Sequence, residues 1–275
     1  MIPSLSMWSF DALIEKEGWN QIDFIEKAAA MGFTQVELLS YYMDRESNRA
    51  RVLDAARRAG IGISCYTVLS DFTPRTAYDD SSLERDIANA AALGAAFIRL
   101  LSGGEVRSES GKTAVCRGLK NAAGKAAAAG VVPVVENIGP YCGSAAELLE
   151  IVERTGAGNL RVNYDTANAL LCGEDPLEEL KKLEDLVSYV HLKDFAVEGC
   201  GEFLPDAERG WRIQSSRSGL KMSGTVSGCG QAGNAGVMAH LKKTGYGGHV
   251  SIEYESDISP EESVASSFEF LKARL

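Results

Sequence analysis

Val187-Ser188-Tyr189-Val190-His191-Leu192-Lys193-Asp194 is an apolar, β-branched run that ends in a histidine, a lysine and an aspartate. A buried parallel strand reads this way where its C-terminal end opens into a polar site. Three further strand-like runs end in an acid: VVPVVE at 131–136, LRVNYD at 160–165 and HVSIE at 249–253. Glu136, Asp165, His191 and Glu253 are therefore read as converging on one divalent metal ion.

A repeating unit surrounds these runs: a helical stretch, a glycine, then an apolar strand. Gly32 precedes 35–38, Gly60 precedes 61–65, Gly94 precedes 96–100, Gly130 precedes 131–136, Gly156 precedes 160–165 and Gly245 precedes 249–253. Such a glycine suits the residue just past a helix, where the backbone turns left-handed. The first four stand 28, 34 and 36 residues apart, about one βα unit each. With the opening run at 2–7 and the strand at 187–192 the count reaches eight, and a final helix follows Ser259-Pro260. Ser81…Glu84, Ser144…Glu147, Asp175…Glu178 and Ser259…Glu262 mark helix starts as capping boxes. Eight alternating units in one chain predict a single-domain (β/α)8 TIM barrel over 1–275, with a doubly wound sheet of fewer strands as the alternative. One connection breaks the rhythm. From 195 to about 233, glycine, serine and charged residues dominate without a clear helix or strand period. A loop this long is usually functional, and its place after the seventh strand puts it over the active-site mouth.

The 275 residues are 45% apolar with a net charge of −10, which permits a sizeable core and argues against nucleic acid as a partner. No apolar run reaches the ~20 residues needed to span a bilayer, and Met1-Ile2-Pro3-Ser4 lacks the basic start of a signal peptide. The six cysteines are scattered, with no CxxC pair, as in reduced thiols of a cytoplasmic enzyme. A small-molecule substrate, no membrane, and a monomer or homo-oligomer are expected.

In a (β/α)8 enzyme the chemistry sits at the C-terminal strand ends. A single acid there is usually a solvated charge or a helix cap. Four ligand-type residues on four successive strand ends are another matter, because three packed carboxylates repel one another unless a cation joins them. One nitrogen and three oxygen donors favour Mn²⁺ or Mg²⁺, with Zn²⁺ or Co²⁺ as alternatives. Of the three histidines, His240 reads as a surface residue and His249, at the start of the last strand, as structural. Arg99 and Lys193 are expected to bind a substrate oxygen or carboxylate, or else to form structural pairs at the rim. Trp8 is expected to wall the substrate or else to pack the mouth, and Arg212 or Arg217 to reach the substrate or a neighbouring subunit from the long loop. Glu37, ending the second strand, is read as a pocket wall or structural group. No glycine-rich phosphate loop is present, which favours an unphosphorylated substrate.

The set Glu136-Asn137, Asp165-Thr166-Ala167-Asn168, Val190-His191-Leu192-Lys193-Asp194 and Gly245-Tyr246…Ile252-Glu253 resembles the xylose isomerase-like sugar isomerase/epimerase superfamily along essentially the whole chain. That superfamily includes tagatose 3-epimerase, hydroxypyruvate isomerase, inosose dehydratase and endonuclease IV. The resemblance implies Glu136, Asp165, His191 and Glu253 as metal ligands, with Glu136 and Glu253 also as the catalytic acid/base pair. It implies a metal-dependent isomerase or epimerase of a small carbohydrate or keto-sugar, working by proton transfer through a metal-stabilised enediolate. Two positions depart from the epimerase pattern. Asn168 stands where epimerases usually carry histidine, and Lys193 where they commonly carry glutamate. These departures make a lyase on the same site, acting on an inosose, dehydroshikimate or a 3-keto-glycoside, the alternative. With only three histidines and an acidic chain, the DNA-repair zinc cluster is not expected.

Overall fold

The structure, a computed structural model, describes residues 1–43, 49–73, 78–103, 108–138, 142–200 and 213–275. The strands in chain order are β1 Ile2–Ser6, β2 Gln35–Leu39, β3 Gly62–Thr67, β4 Phe97–Leu100, β5 Val132–Glu136, β6 Arg161–Asp165 and β7 Val187–Leu192. They continue as β8 Phe195–Val197, β9 Ile213–Ser215, β10 Lys221–Gly224 and β11 His249–Ile252. Eight of them close a parallel barrel in the order β1-β11-β7-β6-β5-β4-β3-β2. The (β/α)8 fold is as expected. The repeat glycines end their helices at positive φ, for example Gly94 at 72° and Gly156 at 62°, where a Cβ would be strained.

Strand parity sets what each face sees, because successive side chains alternate. In β7, Val190 and Leu192 face the helical layer and join the large outer core. Tyr189 faces the barrel axis, where it packs with Cys65, Val134 and Phe97. His191 and Lys193 continue the Tyr189 face upward, and the same two-residue step carries Val134 to Glu136 and Asn163 to Asp165. The barrel thus has an apolar floor and a charged top on one set of inward positions. His249 lies in the floor, stacked on Tyr189 with ring centroids 5.8 Å apart, in keeping with a structural role.

The helix Ala145–Thr155 shows how the outer layer is held. Leu148, Ile151, Val152 and Thr155 recur at helical spacing and are buried, and Ser144 with Glu147 closes the capping box. Asp175 caps the helix Pro176–Leu183. Two of the expected starts shift. Asp79, not Ser81, caps the helix Asp80–Leu93: an aspartate two residues upstream takes the amide of Ser82 first. Ser259 makes no side-chain cap and sits left-handed at φ 41°.

The stretch from 195 to 233 also differs from its reading as irregular. It contains an antiparallel sheet in the order β8-β10-β9. Strands of three or four residues are too short to display an alternating pattern, so the pairing was invisible in one dimension. Asp194 ties this segment to the end of β7. Its Oδ1 accepts from Phe195 N at 3.0 Å and Ala232 N at 2.9 Å, its Oδ2 from Gly228 N at 2.8 Å and Gly230 N at 3.1 Å. Any Cβ on residue 230 would meet Asp194 Oδ1 at 2.3 Å, so the loop approaches the carboxylate through a glycine.

Candidate metal centre

Glu136 ends β5, Asp165 ends β6, His191 is the fifth residue of β7 and Glu253 follows β11 by one. Register brings them together: Asp165 pairs with His191 across β6 and β7, and His191 with Ser251 across β7 and β11. The ligand atoms of Glu136, Asp165, His191 and Glu253 lie within 4.8 Å of one another, and all four side chains are buried.

His191 shows which nitrogen looks inward. Its Nδ1 is 2.9 Å from Glu136 Oε1, 3.4 Å from Glu253 Oε1 and 3.9 Å from Asp165 Oδ2. Its Nε2 points the other way, to Glu37 Oε2 at 2.7 Å. Glu37 is fully buried and also accepts from Thr67 Oγ1 at 2.5 Å. A carboxylate behind a ligating histidine fixes its tautomer and orientation. Glu37, which the sequence reading left as a wall or structural group, is therefore part of the site. Its one sequence signal was an acid in another barrel strand, and it lies at the third of the five residues of β2 where the sequence reading had it end the strand.

Two cations serve the cluster. Arg99 donates from Nη1 to Glu136 Oε1 at 2.6 Å and from Nε to Thr67 Oγ1 at 3.1 Å. Lys193 Nζ lies 2.8 Å from Asp165 Oδ2, 3.2 Å from Glu253 Oε2 and 3.2 Å from Glu255 Oε2. Glu255, two residues past Glu253 and so on the same face, was not singled out in the sequence. Burial pushes the Asp165 carboxyl up to about 7, with Lys193 pulling down and Glu253 and Glu136 adding to the rise. Burial also works against the charged form of Glu253, but His191, Lys193 and Arg99 outweigh it and hold that carboxyl well below its ordinary range. His191 moves well above its ordinary value, since Glu253, Glu37 and Glu136 outweigh desolvation.

The donor set fits a divalent cation. Asp165 Oδ1 is taken by the amides of Ala167 and Asn168 at 2.8 and 3.0 Å. Its Oδ2, buried among the other donors, has no hydrogen bond of its own; the Lys193 contact there is an ion pair off the hydrogen-bond line. Three carboxylates and one imidazole suit a hard or borderline ion.

Above the cluster lies a cavity of about 240 Å³, at the small end of ligand pockets. Glu136, Glu253, Arg99 and Lys193 form its floor; Trp8, Leu69, Leu101, Ile138 and Leu171 form an apolar wall; Asn168, Gln214 and Glu255 complete it. Gln214 comes from β9, so the segment after β7 reaches the cavity. Asn168 is 3% exposed and its Nδ2 has no hydrogen-bond partner. Arg217 is placed elsewhere: it ion-pairs with Glu147 at 2.6 Å, and its backbone amide bonds Leu171 O. Arg212 lies outside the described residues. His240, on the helix Asn234–Lys243, pairs with Glu184 at 2.7 Å.

A family model described as the xylose isomerase-like TIM barrel matches residues 25–274, and the chain belongs to that family. Inosose dehydratase from Geobacillus kaustophilus (strain HTA426) is 30% identical over 114 residues, which is 42% of this chain and 35% of that protein. The match thus spans about a third of that relative's length. The probable 3-DHS dehydratase AsbF from Bacillus anthracis superposes with a TM-score of 0.75 at 14% identity, over 99% of both chains. D-allulose 3-epimerase from Methylomonas sp. in complex with D-allulose gives 0.74 at 15%, over 100% of this chain and 97% of that one. At these identities the likeness is one of fold. Among the described residues no helix is long and apolar enough to cross a membrane.

Proposed function

We propose that the chain is a divalent-metal-dependent isomerase or epimerase of a small keto-sugar or related carbohydrate. The observation that carries this reading is the convergence of Glu136, Asp165, His191 and Glu253, buried and within 4.8 Å, beneath a small cavity. These four residues would hold the ion, Mn²⁺ or Mg²⁺ by their donor types. A bound ion would supply Lewis acidity toward adjacent carbonyl and hydroxyl oxygens, acidifying the neighbouring C–H. Glu253, ionised and flanked by Lys193, is placed to take a proton from substrate carbon. Glu136, held by Arg99, is placed to return one to the opposite face or the neighbouring carbon. Asn168 would donate to a substrate oxygen, Trp8 would cover an apolar face, and the segment after β7 would cover the mouth through Gln214. We place the reaction in the cytoplasm, in keeping with six cysteines that form no disulfide.

A second reading is a lyase, favoured by Lys193 beside Glu253. Glu253 would take the proton and the Lys193 ammonium would give one to a departing hydroxyl or alkoxide, so that a water or alcohol leaves and a double bond forms. The dehydratases among the relatives and neighbours suit this outcome. Incubating Mn²⁺-loaded enzyme with ketoses, inososes and keto-glycosides in D₂O separates the readings by mass. Deuterated product of otherwise unchanged composition supports the isomerase, loss of water or an aglycone supports the lyase, and neither deuterium uptake nor such a loss with any of them sinks both.

A further inference from the structure

We infer that Gln214 is a specificity-determining residue of the cavity, carried to it by the small sheet after β7, and that Arg217 is the residue that positions it. This rests on the reading of the cavity as the substrate site. Directly opposed residues in an antiparallel sheet share a face. The pairs Val197–Met222 and Met222–Gln214 therefore put Val197, Met222 and Gln214 in one row. That row faces the barrel: Val197 and Met222 are buried and pack with Ala167 and Leu171. Ile213 and Ser215, on either side of Gln214, are exposed on the opposite face. Gln214 completes the row and lines the cavity beside Leu171. The two apolar members seat the sheet, and the member over the cavity is polar.

Among the described residues the Gln214 side-chain amide has no hydrogen-bond partner. Asn168, which lines the same cavity from the barrel, is buried with Nδ2 unpartnered. One amide is thus fixed to the barrel and the other is carried by the sheet. A glutamine amide offers both N–H donors and an acceptor oxygen, so it can satisfy a substrate hydroxyl in both of its roles. The tip of the sheet is latched. Arg217, three residues on, donates from Nη2 to both oxygens of Glu147 at 2.7 and 2.6 Å. Its backbone N–H bonds Leu171 O at 2.8 Å. Glu147 is itself held, since its Oε2 accepts from Ser144 N at 3.3 Å and from Ser144 Oγ at 3.0 Å. A partly exposed ion pair contributes little to overall stability. What this one fixes is where β9 ends, and with it where the Gln214 side chain sits.

The test uses Mn²⁺-loaded full-length enzyme and three probes: fructose, a keto-inositol and a 3-keto-glucoside. Gln214→Ala should weaken binding of at least one probe roughly 2- to 10-fold, as expected for one neutral hydrogen bond. For a probe that is turned over, KM should rise with little change in kcat. Arg217→Met should weaken the same probe, and Arg217→Lys should weaken it less. The double variant Gln214→Ala/Arg217→Met should bind no more weakly than Gln214→Ala alone, because Arg217 acts through Gln214. Glu147→Gln keeps the capping box and removes the ion pair, so hydrogen exchange at the Arg217 amide should quicken. Equal binding by wild type and Gln214→Ala overturns the inference and leaves the carbohydrate reading standing. Additive losses in the double variant, or unchanged exchange in Glu147→Gln, overturn the positioning role of Arg217. If none of the three probes binds the wild-type enzyme, the carbohydrate reading falls, and the inference falls with it.

Discussion

Glu37→Gln isolates the carboxylate behind His191. Glu37 accepts two hydrogen bonds, from His191 Nε2 at 2.7 Å and Thr67 Oγ1 at 2.5 Å. Glutamine has the same shape but no charge, and its NH₂ faces a donor where the second oxygen stood. If the amide oxygen stays on His191, a charge-assisted bond worth about 1.5–3 kcal/mol becomes a neutral one worth about 0.5–1.5 kcal/mol. The loss is about 1–1.5 kcal/mol, or about tenfold in the preference for the tautomer with its proton on Nε2. Only that tautomer turns an Nδ1 lone pair toward Glu136, Asp165 and Glu253. Mn²⁺ affinity should therefore fall about tenfold, the low end of the 10–100-fold range for such outer partners. Glu37→Ala leaves a buried N–H unpaired and should cost about 1–3 kcal/mol, hence up to about 100-fold. Isothermal titration of metal-stripped protein reads both values, and thermal melts confirm that each variant folds. Unchanged Mn²⁺ affinity in two folded variants would refute the assignment of Nδ1 as ligand and Glu37 as its positioning partner.

Glu253→Gln at saturating metal should keep kcat about 10²–10⁴-fold low, because an amide cannot accept the substrate proton; recovery of activity with excess metal would reduce Glu253 to a ligand. Binding of an ion must displace the proton that Asp165 retains up to about pH 7 as well as the one that the surrounding carboxylates hold on His191, so Mn²⁺ affinity should fall by about tenfold per pH unit for each proton displaced as pH drops below about 7, and a flat titration profile would contradict it. Asp194→Asn should release the segment after β7, since its NH₂ would face two of the four amides now bonded to the carboxylate. Two stranded amides cost about 1–3 kcal/mol each, and hydrogen exchange at Gly228 and Gly230 should quicken even if the barrel melts at its usual temperature.

The barrel and its four candidate ligands were legible in one dimension because both are local patterns. Glycine after helix, apolar run after glycine and acid after apolar run each occupy a few consecutive residues, and eight repeats leave few folds that could bury them. Parallel-barrel topology then puts all strand ends on one face, so Glu136, Asp165, His191 and Glu253 met as expected. What each neighbour does depended on contacts between residues far apart in the chain. Glu37 stands 154 positions from His191, and only strand register turns its carboxylate onto Nε2. Lys193 and Arg99 read equally as substrate anchors or structural pairs; the packed structure gives Lys193 three carboxylates and Arg99 a glutamate and a threonine. Arg217 looked available because its partner, Glu147, is 70 residues away. The three short strands between 195 and 224 exist only as mutual pairing, held to the barrel by the Asp194 carboxylate. Local propensity writes the repeat, whereas charge pairing in a buried site is decided by whichever groups the closed barrel brings within a few ångströms.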